Sequence, residues 1–207
     1  MSQLHPGWPA VLVAGSVTLR PLRRRDAGDW SRSRLANADW LTRWEPTSSQ
    51  SWQSRNSVAE YHRTLSRLRS AARLGTMLPF GIVYGEKLVG QLNVSNVVRG
   101  ALRSGSVGYW IDSAVAGRGI TPTALALAID HCLTEALLHR LEVNIRPENQ
   151  ASIRVVEKLG LRQEGYHERF LDIDGGWRDH LSFAITTEEI LSGTVLSRLS
   201  ALPVPPG

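Results

Sequence analysis

Residues 108–125 read GYWIDSAVAGRGITPTAL and predict a strand, a glycine-bearing loop and a helix in direct succession. The strand is expected over residues 105–111, which are rich in β-branched and aromatic side chains. Gly117 and Gly119 have no Cβ, so the backbone between them can turn tightly and present its N–H groups. From Pro122 the pattern is helical, and proline is tolerated in a first turn. Because a helix start attracts anions, we expect this loop to hold the diphosphate of a nucleotide-like cofactor.

The remaining chain predicts an α/β fold around this unit. Hairpin signals surround a single strand–helix–strand crossover, so the sheet should be mostly antiparallel. The tryptophan-rich segment 37–53 is expected to be irregular or briefly helical. Strands are predicted at residues 16–22, 78–84, 87–94, 104–111, 141–145, 161–173 and 177–185, and helices at 26–36, 56–72, 122–138 and 151–159.

Length and composition predict one domain. The chain has 207 residues, of which 42% are hydrophobic, enough for a substantial core. We expect this domain to span residues 1–190, and residues 191–207, which end in LPVPPG, to form a flexible tail. No apolar run approaches the ~18–20 residues of a membrane span, and the N-terminus lacks the pattern of a secretory signal. The single cysteine, Cys132, excludes an internal disulfide and fits a cytoplasmic location.

Charge is distributed unevenly along the chain. The net charge is +5, and residues 1–75 hold twelve arginines against five acids. A basic N-terminal part suits an acidic partner such as nucleic acid or a ribonucleoprotein surface, but a solvated arginine-rich face is the simpler explanation. The histidines form no metal-binding pattern, since His131 and His139 are too far apart for an i, i+4 pair and no carboxylate completes a set. We therefore expect no metal.

Three kinds of phosphate-binding loop could be present at residues 116–121. A P-loop requires a lysine, which this loop lacks. A dinucleotide fingerprint requires a third glycine where Pro122 stands. The diphosphate loop of acyl-coenzyme A enzymes requires only consecutive free amides before a helix. A plain strand–turn–helix connection remains the alternative to all three.

A second polar pair follows in residues 146–166, RPENQASIRVVEKLGLRQEGY. Asn149 and Ser152 are three residues apart at a helix start, so they share one face of its first turn. A side-chain amide there can pair with an amide-bearing ligand chain such as pantetheine. The alternative is that Asn149 or Ser152 merely caps the helix.

These motifs resemble those of a known family. The stretches GYWI, GRGIT, PENQAS and VEKLGL, together with residues 44–46 (WEP), 93–100 (NVSNVVRG) and 173–180 (IDGGWRDH), resemble the GNAT superfamily of acetyl-coenzyme A-dependent N-acetyltransferases. Within it the chain is similar to the RimJ-type ribosomal-protein alanine N-acetyltransferases, over residues 16–186. The resemblance implies the GNAT fold. Its mixed, mostly antiparallel sheet has about seven strands, is splayed between the fourth and fifth, and is flanked by about four helices.

The resemblance also implies a cofactor site for acetyl-CoA. Main-chain groups of Trp110 and Ile111 and the side chain of Asn149 would bind the pantetheine arm, and Ser152 would lie near the sulfur. The chain departs from the usual diphosphate motif at Ala116, which replaces Gln or Arg, and at Thr121, which replaces Gly or Ala. The implied diphosphate loop consists of Val115, Ala116, Gly117, Arg118, Gly119, Ile120 and Thr121.

The catalytic residues implied by the resemblance are incomplete. Many relatives place a tyrosine seven residues after the asparagine as general acid, but Val156 stands there, so Ser152 is the candidate donor to the leaving sulfur. Some Rim-group relatives use a glutamate in the last hairpin, where this chain has Leu171. Glu45 could bind or deprotonate the amine through water, or simply face solvent in a turn. The expected acceptor contacts are Trp44, Glu45, Asn93 and Ser95, with hydrogen-bonded core residues as the alternative for the last two.

The expected reaction is direct attack of an amine on acetyl-CoA in a ternary complex. A model α-amine has a pKa of about 7.7–8.0 and a lysine about 10.4, so a site without a strong base serves a chain terminus more easily. The predicted acceptor is therefore the N-terminus of a protein, and the resemblance implies a ribosomal protein that begins with alanine. The enzyme is expected to be a cytoplasmic monomer or homodimer, in contact with the ribosome. The alternatives are acetylation of a small-molecule amine and a non-catalytic ribosome- or RNA-binding module.

Overall fold

Eight strands form one sheet in the computed structural model, which describes residues 5–190 and 193–200. Their spatial order is β1-β2-β3-β4-β5-β6-β8-β7. Every neighbouring pair is antiparallel except β5 and β6, which are parallel. The strands are β1 (Leu12–Ala14), β2 (Val17–Pro21), β3 (Leu78–Tyr84), β4 (Lys87–Val98), β5 (Ser104–Ile111), β6 (Arg140–Ile145), β7 (Arg162–Ile173) and β8 (Gly176–Thr186).

Helices cover both faces of the sheet. Ile129 belongs to a buried cluster with Phe80 and Leu92, which places α5 on one face. Trp30 and Leu65 are buried with strand residues in a second cluster, which places α1 and α4 on the opposite face. The helices are α1 (Ala27–Ala36), α2 (Ala38–Leu41), α3 (Trp52–Arg55), α4 (Val58–Arg73), α5 (Ile120–Thr134), α6 (Gln150–Lys158) and α7 (Val195–Ser200).

Helix α4 follows from its sequence pattern. The Ser57 hydroxyl accepts a hydrogen bond from the N–H of Glu60 and caps the first turn. A stripe of buried residues at helical spacing faces the core: Tyr61, Leu65, Leu68 and Ala72. Arg63 and Arg67 lie off this stripe, where both pair with Glu60 on the surface.

The sheet opens between β5 and β6. The two strands pair only from Ser104 to Ser106, opposite Arg140 to Glu142. Beyond Ser106 they part, although β5 continues to Ile111 and β6 to Ile145. The predicted mixed, mostly antiparallel sheet, splayed between the fourth and fifth predicted strands, is confirmed. Because both strands run in the same direction, the gap lies at their carboxyl ends, where open α/β sheets bind ligands.

Several predicted boundaries require correction. The sheet has eight strands rather than about seven, because β1 was not predicted. This strand is three residues long and its Val13 is exposed, so it carries no alternating pattern and is held by backbone pairing with β2. Strand β4 extends to Val98, beyond the predicted residue 94. Helix α5 ends at Thr134 rather than at 138, and Leu137 beyond it has a left-handed backbone (φ 55°).

The last two strands form a long hairpin at one edge of the sheet. Most side chains of β7 are exposed, and its register shifts between Gln163 and Gly165 and again between His167 and Leu171. The hairpin tip is fastened to residues 45–47. The N–H of Thr47 donates to the Asp172 carbonyl (3.0 Å), and the N–H of Asp174 donates to the Glu45 carbonyl (3.2 Å).

The predicted flexible tail, residues 191–207, contains helix α7. Val195 is fully buried in the main core cluster. Asp130 of α5 accepts hydrogen bonds from the N–H groups of Val195 and Leu196, at 2.7 and 3.0 Å. The domain boundary predicted at residue 190 therefore lies too early, because α7 packs on the domain. Residues 191–192 and 201–207 of the predicted tail lie outside the described residues, and their flexibility stays a prediction.

Candidate active site

The loop between β5 and α5 turns through left-handed backbone at two glycines. Gly117 has φ 80° and Gly119 has φ 76°, and a Cβ built on either meets nothing within 4 Å. Gly119 is the N-cap of α5. Among the described residues, no acceptor meets the N–H of Gly117, Arg118 or Gly119. These donors and the start of α5 form an arrangement that can bind an anion.

A cleft of about 380 Å³ opens in front of this loop, and we call it the loop cleft. It extends from the loop to the first turns of α6 and to the tryptophan-rich segment around Trp40 and Trp44. The exposed Arg118 is absent from its lining. All other predicted cofactor residues line it: Trp110, Ile111, Val115, Ala116, Gly117, Gly119, Ile120, Thr121, Asn149 and Ser152.

A second cleft, of about 390 Å³, lies where β5 and β6 part, and we call it the sheet cleft. Its walls come from β4, β5 and β6, from residues 44–46, to which the hairpin tip is fastened, and from His180 on β8. The four residues predicted to contact the acceptor all line it: Trp44, Glu45, Asn93 and Ser95.

The two clefts meet at the parted strands. A molecule in one cleft can therefore contact a molecule in the other without leaving its own site. The residues that line both clefts are Trp44, Glu45, Tyr109, Trp110, Asn149 and Ser152.

Tyr109 is a site residue that sequence reasoning missed. Its hydroxyl is buried and has no hydrogen-bond partner among the described residues. Burial raises the pKa of Tyr109 to about 12, and the nearby Ser152 side chain offsets part of that rise. The hydroxyl therefore keeps its proton at neutral pH and can donate. Because an unpaired buried donor is costly, this group is suited to pair with a ligand atom.

Asn149 caps α6, as the alternative interpretation of this residue predicted. Its Oδ1 accepts a hydrogen bond from the N–H of Ser152 at 3.1 Å. The cap uses the oxygen and leaves the amide NH₂ available as a donor. Asn149 lines both clefts, so capping does not exclude a ligand contact. Contact with a pantetheine arm stays a prediction.

Glu45 is tied to a buried cation. Its carboxylate lies 2.9 Å from Nη1 of Arg34, whose side chain is 6% exposed. The Arg34 guanidinium lies 5.1 Å from the ring centroids of both Trp52 and Trp110. The Glu45 carboxylate is thus engaged within the chain as the counter-ion of this buried cation. Glu45 is therefore not simply a solvent-facing turn residue, and its contact with the acceptor stays a prediction.

Some predicted contacts already have partners within the chain. The Trp40 indole donates to the Ile111 carbonyl at 3.2 Å, so a ligand would share or replace that bond. The Oδ1 of Asn93 accepts from the Gln91 amide at 3.0 Å. The Ser95 hydroxyl donates to the Ser106 carbonyl at 3.2 Å. Asn93 and Ser95 thus line the sheet cleft while also bonding within the sheet.

Other reactive side chains lie away from the clefts. Cys132 is fully buried, and burial raises the pKa of its thiol to about 12, so it packs as a small hydrophobic residue. His131 hydrogen bonds with the Gly7 carbonyl at 2.7 Å. Across residues 5–190 and 193–200, no three His, Cys, Asp or Glu side chains are grouped to hold a metal ion. Over the same residues, no helix has the length and apolar character to cross a membrane.

Known proteins share this architecture. The family described as "Acetyltransferase (GNAT) domain" matches residues 16–162. The ribosomal protein uS5-alanine N-acetyltransferase of Escherichia coli (strain K12) is 31% identical over 191 residues, 88% of this chain and 93% of that protein. The structure of Mycobacterium smegmatis RimJ in complex with CoA-disulfide is 48% identical, with a TM-score of 0.92, and the match covers 95% of this chain and 96% of that one. The ribosomal-protein-S5-alanine acetyltransferase of Vibrio fischeri is 26% identical, with a TM-score of 0.79, over 87% and 98% of the two chains.

The family match extends from the segment before β2 to the start of β7. It includes the glycine loop, the parted strands β5 and β6, and all six residues that line both clefts. The sequence resemblance and the expected fold are confirmed by these comparisons. The chain is an N-acetyltransferase that belongs to the GNAT acetyltransferase family and is similar to its RimJ-type members.

Proposed function

We propose that this enzyme transfers the acetyl group of acetyl-CoA to the N-terminal α-amine of a protein, with a ribosomal protein that begins with alanine as the favoured acceptor. The observation that carries the proposal is the meeting of the two clefts at the parted ends of β5 and β6. Two different molecules can be held there with their reactive ends together, which favours direct attack in a ternary complex. The names of the Escherichia coli and Vibrio fischeri relatives support the choice of acceptor.

The loop cleft suits acetyl-CoA. The N–H groups of Gly117, Arg118 and Gly119 would hold the diphosphate, assisted by the start of α5. The amide of Asn149 would donate to the pantetheine arm. The CoA-disulfide in the Mycobacterium smegmatis relative supports a coenzyme A ligand. When bound, acetyl-CoA supplies an acetyl group activated as a thioester.

Two hydroxyl groups at the junction would serve the reacting atoms. We assign the Tyr109 hydroxyl to the carbonyl oxygen, where its buried, protonated O–H would stabilise the charge that develops. We assign the Ser152 hydroxyl to the sulfur. A hydrogen-bond donor suffices there, because a thiol of pKa near 8.5 is a tolerable leaving group.

The acceptor amine must be neutral to attack. Because the pKa of a model α-amine is about 7.7–8.0 and that of a lysine about 10.4, a far larger fraction of chain termini is neutral at pH 7. This difference supports a chain terminus over a lysine. A ribosomal acceptor also places the enzyme in the cytoplasm, and exposed arginines such as Arg63 and Arg67 on α4 suit contact with the ribosome. We propose a monomer or homodimer.

Two matched peptides test the proposal. The first has a free N-terminal alanine and no lysine, and the second has a blocked N-terminus and one internal lysine. Incubation with radiolabelled acetyl-CoA should label the first peptide and leave the second unlabelled. Label in the second peptide, or only in small amines, would contradict the proposal. Binding of coenzyme A without turnover, together with salt-sensitive RNA binding, would instead favour a non-catalytic module.

The natural acceptor requires a cellular measurement. Mass spectrometry of protein N-termini, with and without the gene, should reveal one terminus that loses its acetyl group. A ribosomal protein that begins with alanine is the expected result.

A further inference from the structure

His180 lies in the sheet cleft and has no role in the steps above. It is a buried residue of β8. Asn144 of β6 is directly opposite Ser182 of β8, and His180 is two residues before Ser182. Since alternate residues of a strand share a face, His180 and Asn144 lie on the same face of the sheet. Both side chains line the sheet cleft.

The hydrogen bond of His180 determines its tautomer. Its Nδ1 lies 3.0 Å from the carbonyl oxygen of Arg178. A carbonyl oxygen can only accept, so Nδ1 carries the proton and Nε2 of the neutral ring carries a lone pair. The ring of Phe170 packs edge-on against the imidazole, with centroids 5.6 Å apart, and supports its orientation.

The surroundings of His180 favour the neutral ring. Burial is the largest effect and lowers the pKa of His180, and the charge of Arg146 lowers it further. The Arg178 carbonyl, Asp179 and Glu148 act in the opposite direction but do not reverse the shift. His167 on β7 is paired with His180 across the hairpin, and Glu45 and Tyr109 line the same cleft. At neutral pH the lone pair on Nε2 is therefore available to accept a proton.

Asn144 supplies a second acceptor in the same cleft. Its Oδ1 is buried and has no hydrogen-bond partner among the described residues. Such an atom needs a donor, and a neutral primary amine that attacks a carbonyl carries two N–H groups. One N–H can point to Asn144 and the other to His180.

We propose that His180 is the general base of the reaction and that Asn144 orients the amine. This inference rests on the proposed function. The amine nitrogen forms the C–N bond with the acetyl carbon, and the C–S bond breaks with its electron pair on sulfur. The proton lost by nitrogen passes to Nε2 of His180, directly or through one water. The Ser152 hydroxyl donates a hydrogen bond to the thiolate, which then takes a proton from solvent. His180 returns its own proton to solvent.

The test uses His180→Asn with His167→Asn as its matched control. Asparagine can still donate to the Arg178 carbonyl but has no counterpart of Nε2. We expect kcat/KM at pH 7.5 to fall about 100-fold or more in His180→Asn, because base catalysis typically contributes that much. His167→Asn, an exposed residue outside both clefts, should stay near the wild-type value. Acceptor-peptide affinity of the coenzyme A-bound enzyme should change less than threefold in His180→Asn.

A second readout does not depend on activity. Nitrogen NMR of the histidine-labelled enzyme should show His180 protonated at Nδ1, with a pKa below about 6.5, the value for an unperturbed histidine. In both enzymes kcat/KM should fall as the acceptor amine becomes protonated below its pKa of about 7.7–8.0. The wild type should show a second, additional fall at the lower pKa of His180, and this second fall should be missing in the variant. An Nε2-protonated ring, or near-wild-type turnover in His180→Asn, would overturn the inference.

Two controls separate other causes of failure. If His180→Asn unfolds, His180→Gln replaces it. A side-chain amide does not take up a proton near neutral pH, so near-wild-type turnover in that folded variant would also overturn the inference. If the wild type labels no chain terminus, the proposed function fails, whereas the NMR result still decides whether Nε2 is a free acceptor.

Discussion

The Tyr109 hydroxyl is buried and has no partner within the described chain. Its removal should therefore affect the free energy of unfolding and the turnover differently. Tyr109→Phe loses only a weak approach of the hydroxyl to Ser152 among the described residues and removes a buried donor without a close partner, so the free energy of unfolding should stay nearly the same or rise. Loss of a donor to the carbonyl oxygen should lower kcat about 100-fold. Denaturant unfolding and steady-state kinetics measure the two effects.

Tyr84→Phe is the control for that experiment, because Tyr84 lies at the end of β3 and lines neither cleft. It should leave kcat unchanged. A Tyr109→Phe enzyme with full turnover would remove Tyr109 from the reaction.

Asn149 caps α6 and is proposed to bind the pantetheine arm, and two substitutions distinguish these roles. Asn149→Ala loses both the helix cap and the amide donor, whereas Asn149→Ser keeps an oxygen that can cap α6. Both should weaken coenzyme A binding, by about tenfold for one lost hydrogen bond. Only Asn149→Ala should also lower the free energy of unfolding, by about 1 kcal/mol. Unchanged affinity in a calorimetric titration of Asn149→Ser would show that the pantetheine arm lies elsewhere.

Some residues of the candidate site could be identified from the sequence, and others could not. The glycine loop, Asn149 and Ser152 stand in local motifs, so their meeting in one cleft was predictable. Tyr109 and His180 were not, because their importance depends on strands that are distant in the chain. The Tyr109 hydroxyl becomes buried, and His180 comes to share a cleft with Asn144, only when β5, β6 and β8 come together. The one available signal was the alternation of polar residues on β6 and β8, which puts Asn144 and His180 on the same face.

At the scale of elements, the loop before α5 can be tested with a matched pair of glycines. Gly119 and Gly85 both have positive φ, 76° and 61°, and neither has an atom within 4 Å of a built Cβ. Gly119→Ala and Gly85→Ala should each lower the free energy of unfolding by about 1 kcal/mol, from backbone strain alone. Only Gly119→Ala should weaken coenzyme A binding, because its methyl group lies beside the free N–H donors.

Chemical denaturation and isothermal titration measure both quantities. Equal coenzyme A affinity in the two alanine variants would mean that the loop does not contact the ligand.

Elements were predictable where their hydrophobic period was strong. The stripe of α4 and the continuous apolar run of β3 determine those elements locally. Strand β1 has no such pattern, since it is three residues long and held by the backbone of β2. The end of α5 was placed too late because the apolar sequence continues past Thr134, whereas the helix stops before the left-handed Leu137.

At the scale of the whole molecule, α7 ties the C-terminal segment to α5 through Asp130. Asp130→Ala removes the acceptor for two N–H groups at the start of α7 and should lower the free energy of unfolding by about 1–2 kcal/mol. Asp130→Asn keeps one acceptor oxygen and should have a smaller effect. Neither change touches the clefts, so kcat should be preserved. An Asp130→Ala protein as stable as the wild type would show that this anchor is dispensable.

The topology of the sheet was predictable from its strand–helix–strand crossover. A single strand–helix–strand crossover among hairpins requires one parallel pair in an otherwise antiparallel sheet, and the opening lies at that pair. The packing of α7 was not predictable, because its short sequence has little helical pattern and Val195 is buried only against the finished core.

The exposed edge of the sheet has a consequence for solution behaviour. Strand β7 is twelve residues long, and a straight edge of that length would invite another molecule to extend the sheet. Its two register shifts and its charged side chains, among them Glu164 and Arg169, interrupt the row of backbone groups that such growth requires. The β7 edge is thus protected against fibrous aggregation, although no further strand covers it among the described residues.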